Sequence, residues 1–130
     1  MDVAAESNLH YSLEAPRDGC SVFHLSGELD ACTAALIEEA VGPQIKGSRG
    51  PLVVDLQDLE FIDSTGIRLL LTLVQQRVRS GTVTLVRPRG GVARRALDLV
   101  GLSRVIPTVE DLSEALRRRP NAVEPGAGAF

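Results

Sequence analysis

The chain has 130 residues, 44% of them hydrophobic and 3% aromatic, with no Trp and a formal net charge of −3. That is the length of one domain with enough aliphatic content for a single core, which excludes a disordered chain. No apolar run approaches the roughly 18 residues of a membrane helix, and "MDVAAESNLHY" lacks a basic region followed by an apolar one; no membrane span and no leader are expected, and a cytoplasmic location is the default.

Leu9, Tyr11 and Leu13 alternate with polar residues and predict a first strand. "PRDG" at 16–19 reads as a turn, because proline presets φ and Asp-Gly accepts tight geometry. Residues 22–27 predict a second strand, antiparallel to the first through that turn. Residues 27–30 are its exit. A helix is expected from near Thr33, with Leu36, Ile37, Ala40 and Val41 on one face. Gly42 and Pro43 should stop or kink it, and "KGSRG" at 46–50 reads as a loop.

"PLVVDL" at 51–56 is a short continuous apolar run, which suits a central strand buried on both faces. After "FIDSTG" the pattern turns helical. Ile67, Leu70, Leu71, Val74 and Val78 recur with helical spacing, and Arg77, Arg79 and Gly81 suit a helix C-terminus. "TVTLV" at 82–86 predicts a strand, and "RPRGG" at 87–91 a loop. "VARRALDLVG" at 92–101 predicts a short helix with Val92, Ala96, Leu97, Leu99 and Val100 as its apolar members. "RVI" at 104–106 reads as a brief strand. Residues 110–118 predict a last helix with Leu112, Ala115 and Leu116 inward, ended by Pro120. "NAVEPGAGAF" reads as a disordered tail.

The expected order is therefore β-β-α-β-α-β-α-β-α. That means one α/β domain over residues 9–118, between a flexible 1–8 and a disordered 119–130. Its sheet is mixed, with an N-terminal antiparallel hairpin and a helix after each later strand.

Residues 1–63 hold 12 acids and 3 bases, and residues 64–130 hold 5 acids and 11 bases. Such asymmetry can mark a binding face, but in one domain the charges mix over a common surface. A strand separates Cys20 from Cys32 at roughly 3.3 Å per residue, whereas a disulfide needs Cα atoms within about 7 Å. Two free thiols are expected.

Most chemistries lack their residues. There is no GxxxxGK[ST], no GxGxxG and no GxSxG. His10 and His24 fall in predicted strands and read as half-exposed sheet residues. An aspartic protease needs an Asp-[Ser/Thr]-Gly triplet from each of two lobes; here one residue too many separates Asp63 from Gly66. Asp55 reads as a polar strand end. Arg87, Arg89, Arg94 and Arg95 form a basic group, but the chain is acidic and offers no aromatic stacking platform, so nucleic acid is not an expected partner.

What remains is "DSTG". Asp63 or Ser64 stands at the N-cap of the expected 67–78 helix, where Asp, Ser and Thr all satisfy free amides. A helix N-terminus also tolerates an anion. A hydroxyl there is open to a kinase, and its phosphate would not unfold the helix. Gly66 removes a side chain that would shield the site, and Arg68 lies one turn on, within reach of a phosphate.

"SGELDACTAALIEEAV", "LVVDLQDLEFIDSTGIRLLL" and "VARRALDLVGLSRVI" resemble the three characteristic segments of the STAS domain. More narrowly, they resemble the bacterial anti-sigma factor antagonists, over nearly the whole of residues 9–118. The resemblance implies that Ser64, directly after the aspartate, accepts phosphate from an anti-sigma factor that is also a serine kinase. It implies that the unphosphorylated form binds that partner and frees the sigma factor, and that a phosphatase resets it. It places the loop of Gly27, Glu28, Leu29 and Asp30 beside the acceptor. The expected partner surface is then Gly27, Glu28, Asp30, Asp63, Ser64, Thr65, Gly66 and Arg68. Arg68 departs from the family, which has a small residue there. The expectation is a non-enzymatic switch, a monomer or weak dimer, with no cofactor, metal, nucleic acid or membrane. The alternative is a STAS scaffold, or a nucleotide- or small-ligand-binding module, that phosphate does not regulate.

Overall fold

Leu52, Val53, Val54 and Leu56 are each at most 1% exposed. A backbone segment buried on both faces must pair on both edges, and this segment is the middle strand of the sheet. The structure is a computed structural model that describes residues 8–17, 20–47, 49–77 and 82–118. Its elements are β1 (Leu9–Arg17), β2 (Cys20–Leu29), α1 (Ala31–Gly47), β3 (Leu52–Ile62), α2 (Ser64–Arg77), β4 (Val83–Val86), α3 (Gly91–Val100), a 3-10 turn (Leu102–Arg104), β5 (Thr108–Val109) and α4 (Leu112–Arg118). The strand order is β1-β2-β3-β4-β5. β1 runs antiparallel to β2, and the other neighbouring pairs are parallel. The fold class and the mixed sheet are those expected.

Alternation along the strands divides the core. Phe23, Leu25, Val54, Leu56 and Leu85 pack with Ile37 and Val41 of α1, Leu69, Leu70 and Leu73 of α2, and Ala93 and Leu97 of α3. Val22, Val53, Val86 and Val109 join Ala115 of α4 in a second cluster. Three helices thus cover one face and α4 covers part of the other. Both cysteines are free, Cys20 buried and Cys32 exposed.

Several local expectations change. β2 runs on through Gly27, Glu28 and Leu29, which were expected as its exit, because each pairs with β3 or β1. Pro16 and Arg17 belong to β1 rather than to a turn. α1 starts at Ala31, two residues before Thr33, and passes through Pro43 to Lys46 and Gly47. Pro43 is exposed, so the Glu39 carbonyl that loses its donor lies on the solvent side, where water can replace the bond. Leu36 and Ala40 are exposed, and the inner face of α1 is instead Ala34, Ile37, Val41 and Ile45.

α2 begins at Ser64, three residues before the expected start. Leu69, Leu70 and Leu73 line its buried side, whereas Ile67, Leu71 and Val74 are only partly buried. Arg77 is the cation in the last turn of α2, as expected, but it is buried. It is 1% exposed and donates to the carbonyls of Ile45 at 3.2 Å, Arg49 at 3.2 Å and Gly50 at 2.9 Å. Asp55 lies within β3, not at its end. Val92, Leu99 and Val100 of α3 are exposed. Residues 104–106 form no strand: Val105 is exposed, and the edge strand lies at Thr108–Val109. The expectations for Asp18, Gly19, Ser48, Val78, Arg79, Gly81, residues 1–7 and residues 119–130 fall outside the described residues.

Candidate functional site

The parallel pairing of β2 and β3 brings their C-terminal ends together. Glu28 lies opposite Phe61, and Leu29 opposite Ile62. The chain leaves β2 into α1 and β3 into α2 at this same end, and each helix is capped by an aspartate.

Asp63 closes the start of α2. Its Oδ1 accepts from the amides of Thr65 at 2.9 Å and Gly66 at 3.0 Å, and its own amide donates to the Leu29 carbonyl at 3.2 Å. One residue therefore caps the helix and ties it to the end of β2. Ser64 is the first residue of α2 and is exposed. Asp63 serves its neighbours' free amides, so the Ser64 hydroxyl is not needed as a cap. Thr65 is half-buried, and Arg68 is exposed one turn on.

Gly66 was expected to keep the site unshielded. It points inward instead. A Cβ there would lie 2.7 Å from the Leu29 carbonyl oxygen and 2.7 Å from Ile62 Cγ1. Glycine permits the close approach of α2 to β2 and β3.

Asp30 caps α1 in the same manner. Its Oδ1 accepts from the amides of Cys32 and Thr33, each at 3.0 Å. Thr33 Oγ1 accepts from the Asp30 amide at 2.9 Å and donates to the Glu28 carbonyl at 3.0 Å. The bond from the Thr33 amide, with those from the Thr33 hydroxyl and the Cys32 amide, outweighs burial and holds the Asp30 carboxyl below its ordinary 3.8. Gly27 adopts φ 94°, and a Cβ there would collide with the Asn8 carbonyl oxygen. That carbonyl accepts from the Glu28 amide at 2.9 Å.

The structure thus places Gly27, Glu28, Asp30, Asp63, Ser64, Thr65 and Gly66 at one end of the sheet, with Arg68 a turn further along α2. Sequence reasoning missed Thr33, which locks the β2–α1 junction, and Phe61, which is 38% exposed beside it. Both carried a signal. Asp30 and Thr33 have capping-box spacing, and Phe61 is one of only three phenylalanines in the chain.

The other candidates are held by partners of their own. His24 contacts Asp55 Oδ2 through Nδ1 at 2.8 Å and Glu14 Oε2 through Nε2 at 3.0 Å, bridging β1, β2 and β3. Arg87 pairs with Asp98 at 2.6 Å and Glu110 at 2.7 Å, Arg94 reaches Glu110 at 3.2 Å, and Arg89 pairs with Asp58. Carboxylates neutralise most of this basic group. Among the described residues, no three His, Cys, Asp or Glu side chains converge to hold a metal ion, and no helix is long and apolar enough to cross a membrane.

A sheet of this order, with a capped Asp-Ser-Thr-Gly turn between its middle strand and the following helix, defines a class. The STAS domain matches residues 15–115. The anti-sigma-F factor antagonist RsfB of Mycobacterium tuberculosis is 35% identical over 105 residues, which cover 78% of this chain and 83% of RsfB. The crystal structure of an anti-sigma factor antagonist from Mycobacterium paratuberculosis superposes with a TM-score of 0.79 at 32% identity, covering 89% of this chain and 97% of that one. Bacillus SpoIIAA in its phosphorylated form shares the fold, with a TM-score of 0.61 at 24% identity over 84% of this chain and 98% of that one. The chain belongs to the STAS domain family and, within it, to the anti-sigma factor antagonists.

Proposed function

We propose that the protein is a partner switch worked by phosphate on Ser64. The unmodified form binds an anti-sigma factor with serine kinase activity and releases the sigma factor. Phosphorylation ends that binding, and a phosphatase restores it. The observation that carries the reading is the division of labour at the start of α2. Asp63 holds the Thr65 and Gly66 amides, while the neighbouring Ser64 is exposed. The hydroxyl can therefore be modified without uncapping the helix.

The chemistry is a phosphoryl transfer. The Ser64 Oγ–P bond forms as the γ-phosphoryl leaves ATP, ADP departs, and a base of the kinase takes the hydroxyl proton. The antagonist supplies only the acceptor, held on a rigid helix end. Glu28 and Asp30 on one side, and Thr65 and Arg68 on the other, form the surface that the partner covers. Phosphate adds about −1.5 to −2 charges at neutral pH. A partner fitted over the bare hydroxyl would have to strip water from that dianion, and taking charged groups out of water costs several kcal/mol per ion. SpoIIAA, solved in a phosphorylated form, lends the reading support by analogy of fold.

The test is incubation with ATP and each purified candidate anti-sigma kinase of the host, followed by intact mass and peptide mapping. One phosphate on Ser64, absent from Ser64→Ala, supports the switch. No addition with any of them favours a STAS module that phosphate does not regulate.

A further inference from the structure

A phosphate on Ser64 would meet a helix start whose next two amides, those of Thr65 and Gly66, are already taken by Asp63 Oδ1. Asp63 itself adjoins the acceptor and adds negative charge beside it. A dianion set there needs a cation.

α2 supplies one. Its inner side is Gly66, Leu69, Leu70, Leu73 and Arg77, which leaves Ser64 and Arg68 together on the outer side, both exposed. They stand four residues apart, the spacing at which helical side chains meet, with Cβ atoms about 5–6 Å apart. Among the described residues Arg68 has no ion pair, unlike Arg87, Arg89 and Arg94. A guanidinium can grip two phosphate oxygens at once, which an ammonium cannot do with the same geometry.

We propose that Arg68 closes on the phosphate carried by Ser64 and clamps it to the outer face of α2. The pair forms within one chain. It gives the modified state its own counter-charge, so the phosphate is held by the antagonist rather than left for a partner to neutralise. Arg68 is a positioning residue for the modified group, not an acceptor or a base. The inference rests on Ser64 being the acceptor, but its test does not depend on any kinase.

Phosphoserine is inserted at position 64 during translation, in the wild-type chain and in Arg68→Ala and Arg68→Lys. The second ionisation of the phosphate is followed by 31P NMR at low salt. An intact clamp lowers its midpoint in the wild type by roughly 0.3 pH unit relative to Arg68→Ala. Arg68→Lys falls between them, and about 1 M salt removes most of the difference. Melting curves of the three unmodified chains should coincide, since Arg68 is exposed. Equal midpoints in the wild type and Arg68→Ala at low salt overturn the clamp. A clear shift alongside a failed kinase assay would leave the clamp standing and remove the switch.

Discussion

The carbonyl oxygen of Leu29 sits where a Cβ on residue 66 would come within 2.7 Å, and it accepts the Asp63 amide at 3.2 Å. The end of β2 therefore fixes both the cap and the first turn of the helix that carries Ser64. Gly66→Ala must push this junction apart. Overpacking of this kind costs about 1–3 kcal/mol. Urea unfolding should show that loss, and a variant as stable as wild type would mean the junction is looser than described.

Asp63 and Asp30 hold the two helix starts, and their loss should be felt locally. Asp63→Ala leaves the Thr65 and Gly66 amides without their acceptor. The expected loss is about 1 kcal/mol, within the usual range for a cap. Hydrogen exchange should quicken at residues 65 and 66 before it does so at Leu70. Unchanged exchange at those amides would show that the cap is dispensable.

Asp30 also predicts a pH dependence. Its carboxyl is held below 3.8 by the Thr33 amide first, then by the other donors at the α1 start. A depressed folded value means that the ionised form stabilises the fold. That contribution is complete above the unfolded value, near pH 4, and is lost as pH falls through the lower folded value. The stability gap between wild type and Asp30→Ala should therefore narrow as pH falls below about 4. A gap that widens on acidification would reverse the sign and contradict this assignment.

Two arginines should behave in opposite ways. Arg77 is 1% exposed and bonds three carbonyls between α1 and β3. Arg77→Ala strands those acceptors and should cost at least about 2 kcal/mol. Arg68→Ala, at an exposed position, should stay within about 0.5 kcal/mol of wild type. Thermal unfolding of the two variants side by side checks both.

The division between legible and hidden features follows the physics of each pattern. β3 could be read because burial on both faces needs unbroken apolar sequence, as in Leu52, Val53 and Val54. The order of elements followed from period and punctuation. The buried side of α2 did not. "LLLTLV" at 69–74 offers apolar residues on more than one side, and only packing against α1 and the sheet selects Leu69, Leu70 and Leu73. Leu70→Ala should accordingly cost roughly 2–5 kcal/mol, and Leu71→Ala distinctly less. Pro43 misled because a proline on the solvent side of a helix costs less than one facing the core. Arg77 was legible as a C-terminal cation but not as a buried one, because its carbonyl partners lie about 30 residues away in sequence. The Asp63 turn was visible in its own residues, whereas the Asp30 loop entered the site only through the family resemblance. The inward role of Gly66 was not visible, since it depends on how closely two distant segments approach.

The switch is tested most directly by calorimetry with the anti-sigma factor, using the antagonist unmodified and then carrying phosphoserine at position 64. The unmodified chain and Ser64→Ala should bind alike. The phosphorylated chain should bind roughly a thousandfold more weakly, equivalent to about 4 kcal/mol, with its melting temperature little changed. Equal affinity of the phosphorylated and unmodified chains would contradict the switch.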